Sequence, residues 1–387
     1  LSESLSDQEQ TDLHFMKVAL TLAQRGEYTA RPNPMVGCVI VKDNQILFTG
    51  THWQAGKPHA EREALKGRVA RGATAYVTLE PCNHQGRTAP CVPALIEAGI
   101  FRVVIGTIDP NPLVAGKGIA ALQAAGIEVV PNVLATDARA LNQGFFSRML
   151  RKKPFVRAKM GMSIDGKIAM HNGESQWITS VESRADVQKL RAKNGAILTS
   201  WQTVNSDDCR LTPRISLLQL PDEVNLVPPL RVVLDSQLRV NPKAQIFSQP
   251  GKTLLVISEN ISEQKQHEWL ANSGENQVEW VTLPEKDGHI DFEGLLVHLS
   301  RLEINDLLVE AGPHLVGALL KNHYIDELIV YMAPVFLGHE AKSLMELPDM
   351  NHLSDKVEGV FGALKAIGPD FRFSVLLSEF AKNDPSH

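Results

Sequence analysis

Residues 58–91 constrain this chain more than any other stretch. They read Pro58-His59-Ala60-Glu61 and then Pro81-Cys82-Asn83-His84-Gln85-Gly86-Arg87-Thr88-Ala89-Pro90-Cys91. One imidazole and two thiols are donors suited to Zn²⁺, and three protein ligands instead of four leave an open position for water. Water in such a position ionises near neutral pH, and Glu61 is a carboxylate that can carry its proton to a leaving group.

Local geometry limits how these residues meet. Positions i and i+2 of an ideal helix lie about 200° apart, so His59 and Glu61 cannot converge from mid-helix. They can if His59 sits at the helix start, where Pro58 is tolerated, with 61–66 continuing as good helix formers. Residues 73–79 read as a buried strand ending at Glu80-Pro81. Cys82 then lies just past its carboxyl end, where α/β sheets place their sites. Cys91 opens a short helix closed by Gly99, whose positive amino end favours a thiolate. Two blander arrangements compete. A closed structural zinc knot needs a fourth ligand, for which His84 is the obvious candidate, and it leaves Glu61 idle. A Cys82–Cys91 disulfide is disfavoured with four Cys in 387 residues and no secretory signal. Cys38 and Cys209 read as small core residues.

A length of 387 residues suggests two or three domains, with 43% hydrophobic residues to build cores and 21% charged. A net charge of −5 argues against a nucleic-acid backbone partner. No apolar run approaches the ~20 residues of a membrane span, and Leu1-Ser2-Glu3-Ser4 lacks the features of a signal peptide, so the cytoplasm is the expected compartment.

Apolar spacing predicts a helix over 12–25, stopped by Gly26. The two-proline lead-in 31–34 precedes a strand over 36–41, which turns at Asp43-Asn44 into 46–48 as a hairpin. Asn33 could hydrogen-bond a base or sugar, or could simply form the turn between prolines. A strand at 102–106, a helix near 116–125 and a strand at 127–130 complete a sheet with helices on both faces. The turn-rich 109–112 stands where a substrate loop could sit. Basic composition and Pro154 place a boundary near 148–154, giving domains 1–150 and 151–387. The second half reads as another α/β domain with a largely parallel sheet: strands near 155–163, 196–199, 231–235, 253–257, 278–281, 306–310 and 327–331, helices near 181–193, 263–271, 291–302 and 314–321. Stretch 218–230 is loop-like and 259–277 polar. In 308–318 a strand ends in a Gly-containing loop that opens a helix, a weak signal for a phosphate site. Trp177 and Trp201 read as core or lid residues, core being the commoner fate.

The pattern His-x-Glu…Pro-Cys-x-x-Cys marks zinc nucleobase deaminases, with one departure here: the second cysteine follows at nine residues, not three. The chain resembles the RibD family of bifunctional riboflavin-biosynthesis deaminase/reductases, whose long His- and Gly-bearing loop accounts for that spacing. The resemblance is carried in the first half by 33–37, 59–61 and 81–91, although Ala89 stands where the family usually has proline. In the second half 162–167, 173–179, 207–212 and 310–313 carry it. It implies a cytidine-deaminase-like three-layer α/β/α domain followed by a dihydrofolate-reductase-like α/β domain. It further implies a zinc hydrolase and an NADPH oxidoreductase on one chain, acting in succession on a phosphorylated pyrimidine.

Under that resemblance His59, Cys82 and Cys91 hold zinc and Glu61 shuttles the proton, with Asn33 and His84 as substrate-contact candidates. The family's NADPH contacts fall on Gly161, Trp177, Thr203, Asp207, Ser236 and the loop Gly312, Pro313, His314, Leu315, Val316, Gly317, Ala318. Its substrate contacts fall on Ser175, Arg191, Leu211, Arg214 and Glu310. Lys159 and Asp207 are candidates for proton handling during reduction; packing and capping roles stand beside that reading. Both arginines suit a phosphate or a surface ion pair. A homo-oligomer, dimer or tetramer, is the expected assembly, with no nucleic acid or membrane. The alternative is a nucleoside or tRNA deaminase carrying a non-catalytic nucleotide-binding second half.

Overall fold

Alternation of apolar residues between two faces builds the first sheet. Its strands are β1 (Gly37–Lys42), β2 (Gln45–Thr51), β3 (Thr74–Leu79), β4 (Arg102–Thr107) and β5 (Glu128–Val130), in the order β2-β1-β3-β4-β5. The β1–β2 and β1–β3 pairs are antiparallel, and β3, β4 and β5 run parallel. Cys38, Ile40, Ala75, Val77, Val103 and Ile105 share one core with α2 (Ala60–Leu65), α3 (Cys91–Glu97) and α4 (Lys117–Ala124). The intervening Val39, Val41, Tyr76 and Val104 face α1 (Asp7–Gln24) and α5 (Ala135–Leu141) instead. This is the three-layer arrangement anticipated above. The computed structural model describes residues 5–86, 88–214, 216, 226–274, 278–286, 288–348 and 350–382. Arg87 and parts of the loop-like and polar stretches, 218–225 and 275–277, lie outside them.

Helix α1 starts at Asp7, not Asp12, because Ser6 and Glu9 form a reciprocal capping box ahead of the apolar face. A buried network ties the helix to the sheet. Asp12 receives both terminal nitrogens of Arg102 at 2.8 and 2.7 Å and the Tyr76 hydroxyl at 3.0 Å. At Gly50 any Cβ would lie 2.0 Å from the Ala60 carbonyl oxygen, so only glycine lets α2 press this closely on β2. Two further helices went unanticipated: α5 and α6 (Gln143–Arg151), the latter running through the basic stretch.

Contacts divide the chain into two compact units, one reaching Lys152 and the other starting at Lys153. The second holds a nine-stranded sheet. In chain order its strands are β6 (Phe155–Ser163), β8 (Ala196–Ser200), β9 (Leu230–Leu234), β10 (Thr253–Ser258), β11 (Val278–Leu283), β14 (Asp306–Val309), β15 (Glu327–Ala333), β17 (Val360–Ile367) and β18 (Asp370–Leu376). Two ribbons stand apart: β7 (Lys167–Ala169) with β16 (Lys342–Ser343), and β12 (Glu285–Lys286) with β13 (His289–Ile290). The order is β11-β10-β9-β8-β14-β6-β15-β18-β17, parallel as far as β15 and antiparallel at β18 and β17. That antiparallel edge was not foreseen. In β17 six of eight residues are exposed, which removes the one-sided alternation that betrays a strand. Helices cover both faces: α7 (Val181–Lys193), α8 (Trp201–Asp207) and α9 (Glu263–Ser273) on one, α10 (Phe292–Arg301) and α11 (Pro313–Lys321) on the other.

Candidate active site

His59 is the N-cap of α2, in extended backbone, and Glu61 is the second residue of the helix proper. The turn at the helix start therefore resolves the 200° problem. Cys82 follows the carboxyl end of β3, and Cys91 is the first residue of α3. Its N–H and that of Val92 both donate to the Cys82 carbonyl, at 3.0 and 3.1 Å, which locks the two cysteines together. The imidazole Nδ1 stands 3.5 Å from Cys82 Sγ and 3.4 Å from Cys91 Sγ. Ligands at ~2.0 and ~2.3 Å from a tetrahedral Zn²⁺ are about 3.5 Å apart, so the donor set fits the ion in chemistry and in spacing. Hydrogen bonding from the Cys91 thiol, with help from His59 and against the effect of burial, draws the Cys82 thiol down to about 4.

Among the described residues His59, Cys82 and Cys91 form the cluster whose donor atoms, all within 4.8 Å of one another, could hold a metal ion. His84 stays outside it, its Nδ1 buried without a hydrogen-bond partner, so the closed four-ligand knot does not form. Nor is there a disulfide, since all four cysteines are free. Glu61 is 3% exposed, and burial raises its pKa. The far nitrogen of the ligand imidazole, Nε2, lies 3.0 Å from Thr88 Oγ1. With Nδ1 turned to the sulfurs, Nε2–H donates to that hydroxyl and fixes the tautomer. Thr88→Val is accordingly expected to weaken zinc binding roughly 10- to 100-fold, with Thr88→Ser close to wild type, as read by chelator competition.

Two further residues stand beside the metal cluster: His52, which escaped sequence reasoning, and Asp109, which opens the turn-rich 109–112 loop. His52, 2% exposed, meets the His59 ring edge-on at 5.2 Å. Its Nδ1–H donates to the Pro58 carbonyl at 3.0 Å, and its Nε2 accepts from Asn33 Nδ2 at 3.0 Å. Burial depresses its pKa to about 4, which keeps it neutral. Asn33 is thus brought to the site through His52. Asp109 is 7% exposed, and burial pushes its pKa up to about 7, with Glu80 and Cys82 adding to the rise. The buried Glu80 carboxylate gathers the 109–119 loop, accepting from the N–H groups of Gly116, Gly118 and Ile119 at 3.0, 2.9 and 3.2 Å. No spacing in the chain advertises His52, and Asp109 is marked only by its turn-rich loop, because each reaches the cluster from a different strand end.

In the second unit Glu310 follows β14 and is 6% exposed. Arg191 grips it at 2.6 and 3.1 Å, and Lys159 Nζ reaches it at 3.0 Å. The structure brings these three residues together, and the Arg191 fork, which would suit a phosphate, is engaged by the carboxylate. Leu211 is buried in the core, while Ser175, Asp207 and Arg214 are exposed. Trp177 is 69% exposed under the Arg184 guanidinium, so of its two readings, core or lid, the core one fails; Trp201 is half-buried.

A cavity of about 420 Å³ is lined by Ser200, Trp201, Ser236, His314, Leu315 and Ala318, among others. Four residues of the expected cofactor set meet there; Gly161, Trp177, Thr203 and Asp207 are not on its wall. Val316 is core, and a Cβ on Gly317 would lie 2.0 Å from the Glu346 carbonyl oxygen. That glycine serves helix packing rather than phosphate approach, and the cavity-facing part of the loop is 314, 315 and 318.

Comparison with known proteins extends this picture. Residues 9–107 match the family model described as cytidine and deoxycytidylate deaminase zinc-binding region, and 154–370 match the RibD C-terminal domain. Fold and site define a two-part enzyme, a zinc-type deaminase followed by a reductase. The riboflavin biosynthesis protein RibD of Escherichia coli K12 is 48% identical over 372 residues, covering 93% of this chain and 97% of that protein. The Haemophilus influenzae RibD is 43% identical, covering 94% and 96%. A solved RibD from Acinetobacter baumannii superposes with a TM-score of 0.86 at 39% identity, covering 96% of this chain and 100% of the other. The Thermotoga maritima diaminohydroxyphosphoribosylaminopyrimidine deaminase/5-amino-6-(5-phosphoribosylamino)uracil reductase does so at 0.81 and 31%, with the same coverage. The chain belongs to the RibD family of bifunctional deaminase/reductases in riboflavin biosynthesis. A lone deaminase with a non-catalytic appendix is not favoured, because these relatives match both halves.

Proposed function

We propose that the first unit hydrolytically deaminates 2,5-diamino-6-ribosylamino-4(3H)-pyrimidinone 5′-phosphate, and that the second reduces the product's ribosyl group to ribityl with NADPH. The observation that carries this reading is the buried Glu61 carboxylate beside a three-donor His59-Cys82-Cys91 cluster. Zinc held by those donors supplies a Lewis acid that makes water a nucleophile at neutral pH. Glu61 takes the proton of the attacking water and delivers it to the departing amine. Asn33, steadied by neutral His52, and Asp109 orient the pyrimidine by hydrogen bonding, and His84 adds a contact from the metal loop.

NADPH supplies the hydride in the second unit. The cavity wall at Ser236, His314, Leu315 and Ala318 holds it, with Gly161, Trp177, Thr203 and Asp207 completing the groove. Ser175, Arg191, Arg214 and Glu310 hold the substrate. Lys159, anchored on Glu310, handles the proton that accompanies reduction, with Asp207 as the second candidate. The assembly is read as a homo-oligomer, dimer or tetramer, which accords with the exposed Phe361 and Leu364 on the edge strand β17 and Phe371 on its neighbour β18. No helix among the described residues is long and apolar enough to cross a membrane, in keeping with a cytoplasmic site of action.

One coupled assay tests the whole reading. Zinc-replete protein, the diamino substrate and NADPH should release ammonia and lose nicotinamide absorbance in sequence. Ammonia without NADPH oxidation would remove the reductase half, and activity only on free nucleosides would remove the proposed substrate. Cys82→Ser is expected to lower both metal content and deamination while NADPH oxidation on supplied deaminated product persists. Wild-type zinc content in that variant, measured by atomic emission, would take Cys82 out of the ligand set.

A further inference from the structure

The cavity beside α11 has a cationic wall, with Arg239, Lys286, His289 and His314 among its lining. Its shape begins with Asp235, fully buried at the end of β9, which accepts from the N–H groups of Arg239 and Val240 at 2.5 and 2.6 Å. Those bonds fold the 235–240 loop back and fix where Arg239 leaves the backbone. Its guanidinium lies 4.1 Å from the centre of the Trp201 ring, a stacking that orients the planar fork without consuming its N–H donors. Its ion pair with Asp235 is long, 3.9 Å, and the side chain is 43% exposed.

Lys286 and His289, on the β12–β13 ribbon, line the same cavity. Lys286 is partly neutralised by Asp291 at 2.9 Å, and His314 is engaged by Glu346 at 2.6 Å. Asp291 is the acidic residue among those lining the cavity, so the balance of the wall is positive. Three other arginines of this unit are committed elsewhere. Arg191 holds Glu310, Arg157 holds Asp306 and Glu327, and Arg231 is buried with bonds to Thr253 and three carbonyls. Arg239 is the guanidinium that faces the cavity.

A guanidinium fork with a second cation and neighbouring hydroxyls is the donor set that recognises a phosphomonoester, dianionic near neutral pH. We infer that Arg239, stacked on Trp201 and assisted by Lys286 and the Ser236 hydroxyl, binds the ribose 2′-phosphate and makes the reductase select NADPH over NADH. This rests on reading the cavity as the dinucleotide groove. The same fork has no partner on NADH, so losing it costs binding to one cofactor and not the other.

The test uses the full-length protein and two mononucleotides, 2′,5′-ADP and 5′-AMP, titrated by calorimetry, alongside KM values for NADPH and NADH. Wild type is expected to bind 2′,5′-ADP the more tightly. Arg239→Ala should weaken 2′,5′-ADP binding roughly 10- to 100-fold, as for loss of a charge-assisted hydrogen bond, and leave 5′-AMP unchanged. KM for NADPH should rise in step while KM for NADH and both kcat values hold. Arg239→Lys, which keeps charge and loses the fork, should fall between. An unchanged 2′,5′-ADP to 5′-AMP ratio in Arg239→Ala overturns the assignment. If the alanine variant loses NADH use as well, Arg239→Gln decides on the same ratio. A wild type that binds neither mononucleotide and oxidises neither cofactor sinks the groove itself, a result distinct from failure of the arginine alone.

Discussion

Glu61→Gln is expected to retain its zinc and lose deamination by roughly 10²- to 10⁴-fold, the range for removing a positioned general acid–base. The amide keeps the size and helix position of the carboxylate, so the buried site need not repack, and His59, Cys82 and Cys91 are untouched. What disappears is a group able to accept a proton from water and return it to nitrogen. The carboxylate is 3% exposed in the second position of α2, so bulk solvent cannot easily substitute. Burial raises its pKa, which favours taking the proton from water. Metal analysis by atomic emission and ammonia release in a single preparation separate the two effects. Turnover near wild type would remove Glu61 from the mechanism; loss of metal would make it a structural support of the ligands.

Glu310→Gln carries the largest expected effect in the second unit. Arg191 and Lys159 converge on this one carboxylate, and removing its charge leaves two cations facing each other in a site 6% exposed. Breaking a buried pair by deleting one partner costs about 3–5 kcal/mol. Reduction should be lost together with that stability, measured by urea denaturation of the second unit. The wild-type pH dependence has a definite sign. Burial alone would raise the Glu310 pKa, but Arg191 and Lys159 more than reverse this and hold it at about 2 against an ordinary 4.5. The contribution is therefore complete above pH 4.5 and is lost as pH falls toward 2. Unfolding midpoints that do not move between wild type and variant would show that the cluster is neutral to stability.

How far the chain disclosed its own site depended on sequence distance. Pro58 ahead of His59 indicated a helix start, and the strand running into Glu80-Pro81 put Cys82 at a sheet end. Those local signals sufficed for the metal cluster. The Arg191–Glu310 pair spans 119 positions, and no local pattern links its two members. His52 was invisible for a related reason: a histidine after an ordinary hairpin strand carries no periodic signature. The early start of α1 was hidden because its first turn is polar and the amphipathic stripe begins later. Strand β17 was hidden by its exposure, since an edge bare on both sides has no inward face to mark. The glycine of the strand–glycine–helix pattern is Gly312, the N-cap of α11, whereas Gly317 lies inside the helix and answers to the backbone at Glu346.

Gly50 has a bearing on precision that no ligand list conveys. With the Ala60 carbonyl filling the space where its side chain would be, the support behind the acid-bearing helix is main chain. A side-chain wall can yield by changing rotamer; this one can give way only if a strand or a helix shifts bodily. The reach of the proton carrier is thus calibrated by a residue that contributes no functional group and touches neither ion nor substrate.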